Sequence, residues 1–429
     1  MKKELRISSR TQSMRVFKFG GASVKDAESV RNVVSILREF GHKETLVVVS
    51  AMGKTTNAME EVVAHYFDDE ADEHKAIRVV EDFHFQIIEE LFESKSHPIY
   101  KKLEGLFEEV KGFLAWNKSP NYSFVYDQVV GYGELLSTTI ISHYMNDTGI
   151  ANEWLDVRSC IKTGCEYRDA KVDWELTAQA IKSNIDPSKL YVTQGFLGSD
   201  DNNFTTTLGR EGSDYSAAIL AYCLDASSVT IWKDVPGVLN ADPRYFEEAE
   251  LLNSISYREA IELAFYGASV IHPKTLQPLQ RKEIPLRVKS FVKPNEVGTV
   301  VGKGKGIEPK VPCFIVKKDQ VLIKLSSLDF SFIVEDSMSE LFKLFHKYQT
   351  KVELIQNSAI SFSVCVDNKF KKLDELLLIL KNKYKISVHR DVSLFTIRHF
   401  DQDAINKLQN GKDVLLEQRG KETLQLVVA

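Results

Sequence analysis

Cysteine is scarce in this chain and shows no pairing pattern. Five residues, Cys160, Cys165, Cys223, Cys313 and Cys365, are spread over 429 positions, and no CxxC pair occurs. The odd count reads as reduced thiols of a cytoplasmic protein, packed mostly as small hydrophobes, and the ligand spacing of a zinc site is absent. Long apolar runs are missing as well. The longest, Ala217 to Leu224, falls far short of the roughly 18 residues that cross a bilayer. Met1-Lys2-Lys3 carries charge with no apolar stretch behind it, so no secretory signal is expected. No charge sign dominates: 55 Lys and Arg stand against 60 Asp and Glu, a net −5. That denies nucleic acid a global basic field. With neither membrane nor nucleic acid expected as partner, the remainder is an ordinary soluble composition. It is 43% hydrophobic and 27% charged, long enough for two or three domains.

The first hundred residues already show an alternation of element types. Arg15 to Phe19 alternates and runs into Gly20-Gly21. A helical pattern follows from about Asp26 to Phe40, with Val30, Val33, Val34 and Leu37 on one face. Thr45 to Ser50 is a nearly continuous β-branched run, as suits a strand buried on both faces of a parallel sheet. Strand, loop, helix and strand in this order form the βαβ signature. Residues 57–122 read as a helical insert, followed by one helix from about Tyr126 to Met145. Strands are expected at Glu153 to Val157, Leu190 to Gln194, Ser228 to Lys233 and Ile284 to Lys289. A capping box at Ser256–Glu259 opens a helix through Phe265. Gly302-Lys303-Gly304-Lys305-Gly306 with Pro309 and Pro312 then resists both helix and strand. The expected division is a catalytic domain over 14–301, a linker over 302–312, and a region over 313–429. That last region holds two small α/β units of the same local order, with separate strands at Ile386 to Asp391 and Ser393 to Arg398.

Five segments carry residues suited to chemistry. Lys18-Phe19-Gly20-Gly21 puts a charge and two glycines between a strand and a helix, a form that lets backbone N–H groups approach an anion. The lysine precedes the glycines, so this is not a Walker A loop. Ser50 to Asn57 follows the next strand and offers hydroxyls, including Ser50 and Thr56, which are equally common as helix caps. In Gly131-Tyr132-Gly133-Glu134, Glu134 stands in an otherwise apolar helix and suits a substrate ammonium or a solvated face. Thr205 to Asp214 is the most specific: Arg210 precedes a helix starting near Ser213, and its planar fork suits a carboxylate. Asp214 falls in the first helical turn, where capping is the ordinary alternative. Trp232 to Arg244 follows a strand's carboxyl end, where open α/β sheets bind ligands, and offers Lys233, Asp234 and Arg244.

Taken in order, KFGGASV, SAMGKTTNAM, GYGELLST, TTLGREGSDYSAA, WKDVPGVLNADPR and FYGASVIHPKT resemble the aspartate kinases of the amino-acid kinase superfamily. The resemblance runs from about Met14 to the C-terminus. It implies an α/β fold: an amino-acid-kinase-type open sheet sandwiched by helices, then a pair of ACT-like units. It also implies transfer of the γ-phosphoryl group of ATP, with Mg²⁺, to the β-carboxylate of L-aspartate, the step that opens lysine, threonine and methionine biosynthesis. On the family pattern Lys18 with the Gly20 and Gly21 amides holds the phosphoryl group. Thr56 and Glu134 contact aspartate, Arg210 clamps its α-carboxylate, and Asp214 orients the reacting groups. Ser50 and Ser213 belong to the same surface. Lys233, Asp234, Leu239 and Arg244 line the ATP site.

Some positions depart from that pattern. Ser269 replaces a usual lysine, with Lys274 close by. Glu211 puts a carboxylate where a small or neutral residue is usual, and Leu239 replaces an aromatic residue. The stretch Asp329 to Met338 lacks the glycine of lysine-binding relatives, and the usual final helix is missing. The ACT-like pair is therefore expected to form a homodimer, with lysine or threonine as the effector to be tested. Two readings compete with aspartate kinase. One is a kinase for glutamate, acetylglutamate or UMP. The other is a non-catalytic amino-acid sensor on the same fold. A fused homoserine dehydrogenase is not expected at this length.

Overall fold

A computed structural model describes residues 14–68, 72–268, 271–304 and 306–429. Ser269 and Lys305, both singled out above, lie outside the described residues. The chain divides into two compact units. The first runs to Val238 and resumes over Leu251–Ile261 and on to Ile307. The second takes Leu239–Glu250, the segment beginning at Glu262, and Glu308–Ala429. Two of those segments come from within the stretch that sequence alone leaves with the first. The reason for one is visible: Asn240 accepts from Phe314 N–H through its backbone and donates its side-chain amide to the Pro312 carbonyl.

The first unit is built on a nine-stranded sheet. From one edge its order is Ile307–Glu308, Ser254–Ser256, Thr299–Gly302, Leu286–Ser290, Ser228–Lys233, Arg15–Phe19, Thr45–Val49, Tyr191–Gln194 and Glu153–Leu155. From Leu286–Ser290 to Glu153–Leu155 every neighbouring pair is parallel. Thr299–Gly302 runs antiparallel to Leu286–Ser290. The period of two sorts the central side chains between two helical layers. Phe17, Phe19, Val47 and Val49 join a large core with Ala27–Phe40, Thr55–Tyr66, Glu73–Leu91, Pro98–Trp116 and Tyr132–Asp147. Lys18 points the other way, toward the helix Gly212–Cys223.

Several boundaries differ from the sequence reading. The helix expected over 126–145 is two, Tyr122–Val130 and Tyr132–Asp147, broken at Gly131, a residue type poor in helices. The glycine-rich stretch is not free of strand. Gly302 ends one and Ile307–Glu308 forms another, since backbone pairing needs no side chain: Ser256 N–H donates to the Gly306 carbonyl. The Ser256 cap stands as expected, its hydroxyl accepting from Glu259 N–H at 3.2 Å.

The second unit carries one six-stranded sheet rather than two small ones. Its order is Lys351–Asn357, Ser361–Asp367, Cys313–Ser327, Tyr384–Arg398, Thr423–Val428 and Val414–Arg419, with each neighbouring pair antiparallel. The two 15-residue strands at its centre pair from end to end, with register shifts between Lys317 and Leu322. Each contains an aspartate in the left-handed region, Asp319 and Asp391, both at φ 57°. The bend at Asp391 explains why the sequence reads as two strands where the fold has one. The same βαββ order occurs on each side of that centre.

Candidate active site

Strand order points to where a sheet of this kind can take a ligand. The chain leaves Arg15–Phe19 toward Thr45–Val49 on one side and later returns to Ser228–Lys233 on the other. That makes the carboxyl end of the first strand a topological switch point, the usual ligand crevice of such sheets. Lys18 and Lys233 stand at the carboxyl ends of the two strands flanking this switch. Both reach one carboxylate. Lys18 Nζ is 2.6 Å from Asp214 Oδ1, and Lys233 Nζ is 3.4 Å from Oδ2. Asp214 is 2% exposed and Lys18 7%. Burial by itself raises a carboxyl pKa, but the two lysines outweigh it and hold Asp214 below its ordinary value. Asp214 sits in the first turn of Gly212–Cys223, where the helix dipole also favours its negative charge.

The glycine loops bring two further segments onto the same point. Gly53 N–H donates to the Gly21 carbonyl, and a Cβ at Gly21 would meet the carbonyl oxygens of Ala51 and Gly53 at 2.8 Å. Only glycine permits that approach. Gly133 does the same for the helix Tyr132–Asp147, since a Cβ there would stand 2.9 Å from that of Ala51. The next residue, Glu134, is thereby pressed into the pocket at 2% exposure. Its Oε1 accepts from Ala51 N–H at 3.2 Å, and its Oε2 has no hydrogen-bond partner among the described residues. Burial pushes its carboxyl up to about 8, against the Ala51 bond and the charge of Lys18.

Of the residues expected from sequence, Lys18, Ser50, Thr56, Glu134, Arg210, Ser213, Asp214 and Lys233 line one pocket. Gly20 adjoins it, with Lys18 Nζ 3.4 Å from where its Cβ would be. Asp234 is exposed on the loop after its strand. Leu239 and Arg244 belong to the second unit, where Arg244 forms a two-pronged pair with Asp242. Glu211 also lines the pocket, at φ 53°, with Oε2 buried and without a hydrogen-bond partner among the described residues. Lys274 forms an ion pair with Asp169.

Three lining residues escaped the sequence reading: Tyr126, Arg168 and Phe196. Phe196 had a faint signal, as a bulky residue after Gly195 at a strand's carboxyl end. Arg168 had none, because it stands in an unpatterned polar stretch. Its loop is pinned by Asp127, which is fully buried. The Asp127 carboxylate accepts from the N–H of Arg168 (3.0 and 3.1 Å) and from the N–H and hydroxyl of Thr207 (both 2.8 Å). Burial nonetheless raises its pKa to about 6.

The arrangement has one buried and one half-buried cation on one carboxylate, glycine-lined amides beside them, and a second carboxyl group with an oxygen to spare. It is equipped to hold an anion next to an ammonium group. Comparison with known proteins agrees with that chemistry. Residues 13–290 match the model of the Amino acid kinase family. Lysine-sensitive aspartokinase 3 of Escherichia coli is 31% identical over 82% of this chain and 78% of its own length. Chloroplastic aspartokinase 1 of Arabidopsis thaliana is 31% identical over 82% of this chain and 63% of its own. Among solved structures, E. coli aspartokinase III with lysine and aspartate superposes with a TM-score of 0.81 at 28% identity, covering 97% of this chain and 96% of that one. The same enzyme with aspartate and ADP gives 0.78, with the same identity and coverage.

Proposed function

The chain belongs to the amino acid kinase family and is an aspartate kinase, and we propose that its switch-point pocket is where ATP and L-aspartate react. The observation that carries the proposal is the convergence of Lys18 and Lys233 on buried Asp214, beside a buried Glu134 with an unpartnered oxygen.

Phosphoryl transfer asks for position and for charge stabilisation rather than for covalent help from the protein. The β-carboxylate of aspartate attacks the γ-phosphorus, the bond to the bridging oxygen breaks, and ADP leaves with that electron pair. Lys18 and the amides of Gly20 and Gly21 hold the transferring group as charge spreads over its oxygens. Asp214 aims both lysines. Glu134 and Thr56 receive the ammonium end of aspartate, Arg210 its α-carboxylate, and Ser50 and Ser213 complete the wall. Lys233 faces the nucleotide phosphates. The resemblance alone carries Asp234, Leu239 and Arg244 to the nucleotide.

No group of three His, Cys, Asp or Glu side chains among the described residues forms a ready cage for a metal. Mg²⁺ would therefore enter on the nucleotide phosphates, as it commonly does, with Asp214 the ionised carboxylate able to share it. Bound there it would neutralise phosphate charge. The second unit is proposed as a homodimerisation and effector module, with lysine as first candidate because a relative is lysine-sensitive. A cytoplasmic location fits the reduced thiols.

The test is acyl-phosphate formation trapped by hydroxylamine. L-Aspartate, L-glutamate and N-acetyl-L-glutamate are compared, each with and without lysine or threonine. Product with aspartate alone is expected. A folded protein that forms none with any acid would return weight to the sensor reading.

A further inference from the structure

We propose that Arg168 is a second aspartate-binding residue, which grips the substrate's α-carboxylate together with Arg210. The proposal rests on the aspartate kinase reading of this pocket and adds a substrate contact that the sequence pattern does not supply.

The position is built, and built at a cost. Arg168 has φ 71°, a left-handed backbone that side chains other than glycine adopt with strain. Such outliers persist where surrounding structure over-determines them, and they gather at ligand sites. Two adjacent residues of one helix do the determining here. Asp127 takes the Arg168 backbone N–H on both carboxylate oxygens. Tyr126 supplies the platform for the side chain, with the guanidinium carbon 4.3 Å from its ring centroid. Tyr126 is itself anchored, its hydroxyl donating to Glu60 at 2.7 Å. Glu60 lies on Thr55–Tyr66, the helix that carries Thr56.

The loop also touches the turn that holds Arg210. An added Cβ at Gly209 would stand 3.1 Å from the Arg168 carbonyl oxygen and 2.6 Å from Asp169 Oδ1. Arg168 and Arg210 are thus presented by two loops in contact at one pocket wall. Neither guanidinium has a carboxylate partner among the described residues, and the neighbouring Asp169 is engaged by Lys274. The other cations of the pocket, Lys18 and Lys233, are committed to Asp214. Aspartate brings two carboxylates. The reacting one belongs at the buried lysine end. The other is left at the exposed wall, where a planar fork stacked on an aromatic ring suits it.

The alternative is that Arg168 merely packs on Tyr126. The two roles separate in the variants Arg168→Gly and Arg168→Gln. Glycine relieves the left-handed backbone, so the melting temperature should hold or rise. Affinity for L-aspartate, measured by calorimetry without nucleotide, should fall by about ten- to a hundredfold, the scale of one charge-assisted pair. ADP affinity should be unchanged. β-Alanine, which is aspartate without its α-carboxylate, should bind both proteins alike. Gln keeps a side chain over the ring and should lose aspartate affinity as well, which decides the matter if the glycine variant does not fold. An aspartate affinity within twofold of the parent would overturn the proposal. So would a loss shared by β-alanine, or one that appears for ADP instead. A parent protein that binds aspartate without phosphorylating it would sink the proposed reaction and leave this inference standing.

Discussion

Lys18 and Asp214 meet at 2.6 Å across the junction between the first strand and the helix Gly212–Cys223, and both are almost wholly buried. A buried pair of this kind is costly to break from either side, because the survivor keeps its charge and loses its partner. Lys18→Ala should remove turnover by at least about a thousandfold, the scale seen when a transition-state charge clamp is deleted. The fold should persist, since Lys233 still neutralises Asp214. Asp214→Asn leaves two lysines facing each other and should cost about 3–5 kcal/mol of stability besides activity. Hydroxamate kinetics and chemical denaturation separate the two effects.

Glu134 links pH to both affinity and stability. Its pKa of about 8 means that the free pocket holds it protonated at neutral pH. Only the carboxylate form attracts an ammonium group, so kcat/KM for aspartate should rise with pH toward about 8. The Glu134→Gln variant should be weak and flat across that range. Stability moves the opposite way. The folded state binds this proton more tightly than the unfolded chain, whose ordinary value is 4.5. The stabilising contribution is therefore complete below 4.5 and is lost as pH climbs through 8. Denaturation without substrate should show that loss in the parent and not in Glu134→Gln.

The contact between the first two loops admits no side chain. Gly21→Ala would set a methyl group 2.8 Å from two carbonyl oxygens. The loops must part, and the amides next to Lys18 move with them. A tenfold or larger drop in kcat/KM is expected, on the scale that about 1 Å of misplacement brings. Circular dichroism should stay that of the parent.

Asp127 holds a strand and a loop with one carboxylate. Asp127→Ala leaves the N–H of Thr207 without its acceptor in a buried place and that of Arg168 without its own in a half-buried one. About 3 kcal/mol of stability should be lost. Hydrogen exchange should quicken first around residues 165–170 and 205–210 rather than throughout the unit.

The parts of this pocket that sequence disclosed are those whose backbone has special requirements. Glycine pairs at 20–21 and at 131 and 133, and the polar turn before Ser213, are visible because few residue types satisfy them. Lys18, Glu134, Arg210 and Asp214 stand beside such markers. Tyr126, Asp127 and Arg168 do not. An aspartate inside a helix and an arginine in a polar loop look solvated until distant chain folds onto them. The same limit applies to the long strands of the second unit. A left-handed residue at Asp391 interrupts the alternation, so local pattern divides what hydrogen bonding joins.

That joining has a consequence for anyone who would cut the chain. The strands Cys313–Ser327 and Tyr384–Arg398 each run through both repeats of the second unit, so neither repeat owns a complete set of strands. Trimming either one would bare a sheet edge with unpaired backbone groups, ready to recruit another chain. The two repeats therefore stand or fall as one sheet.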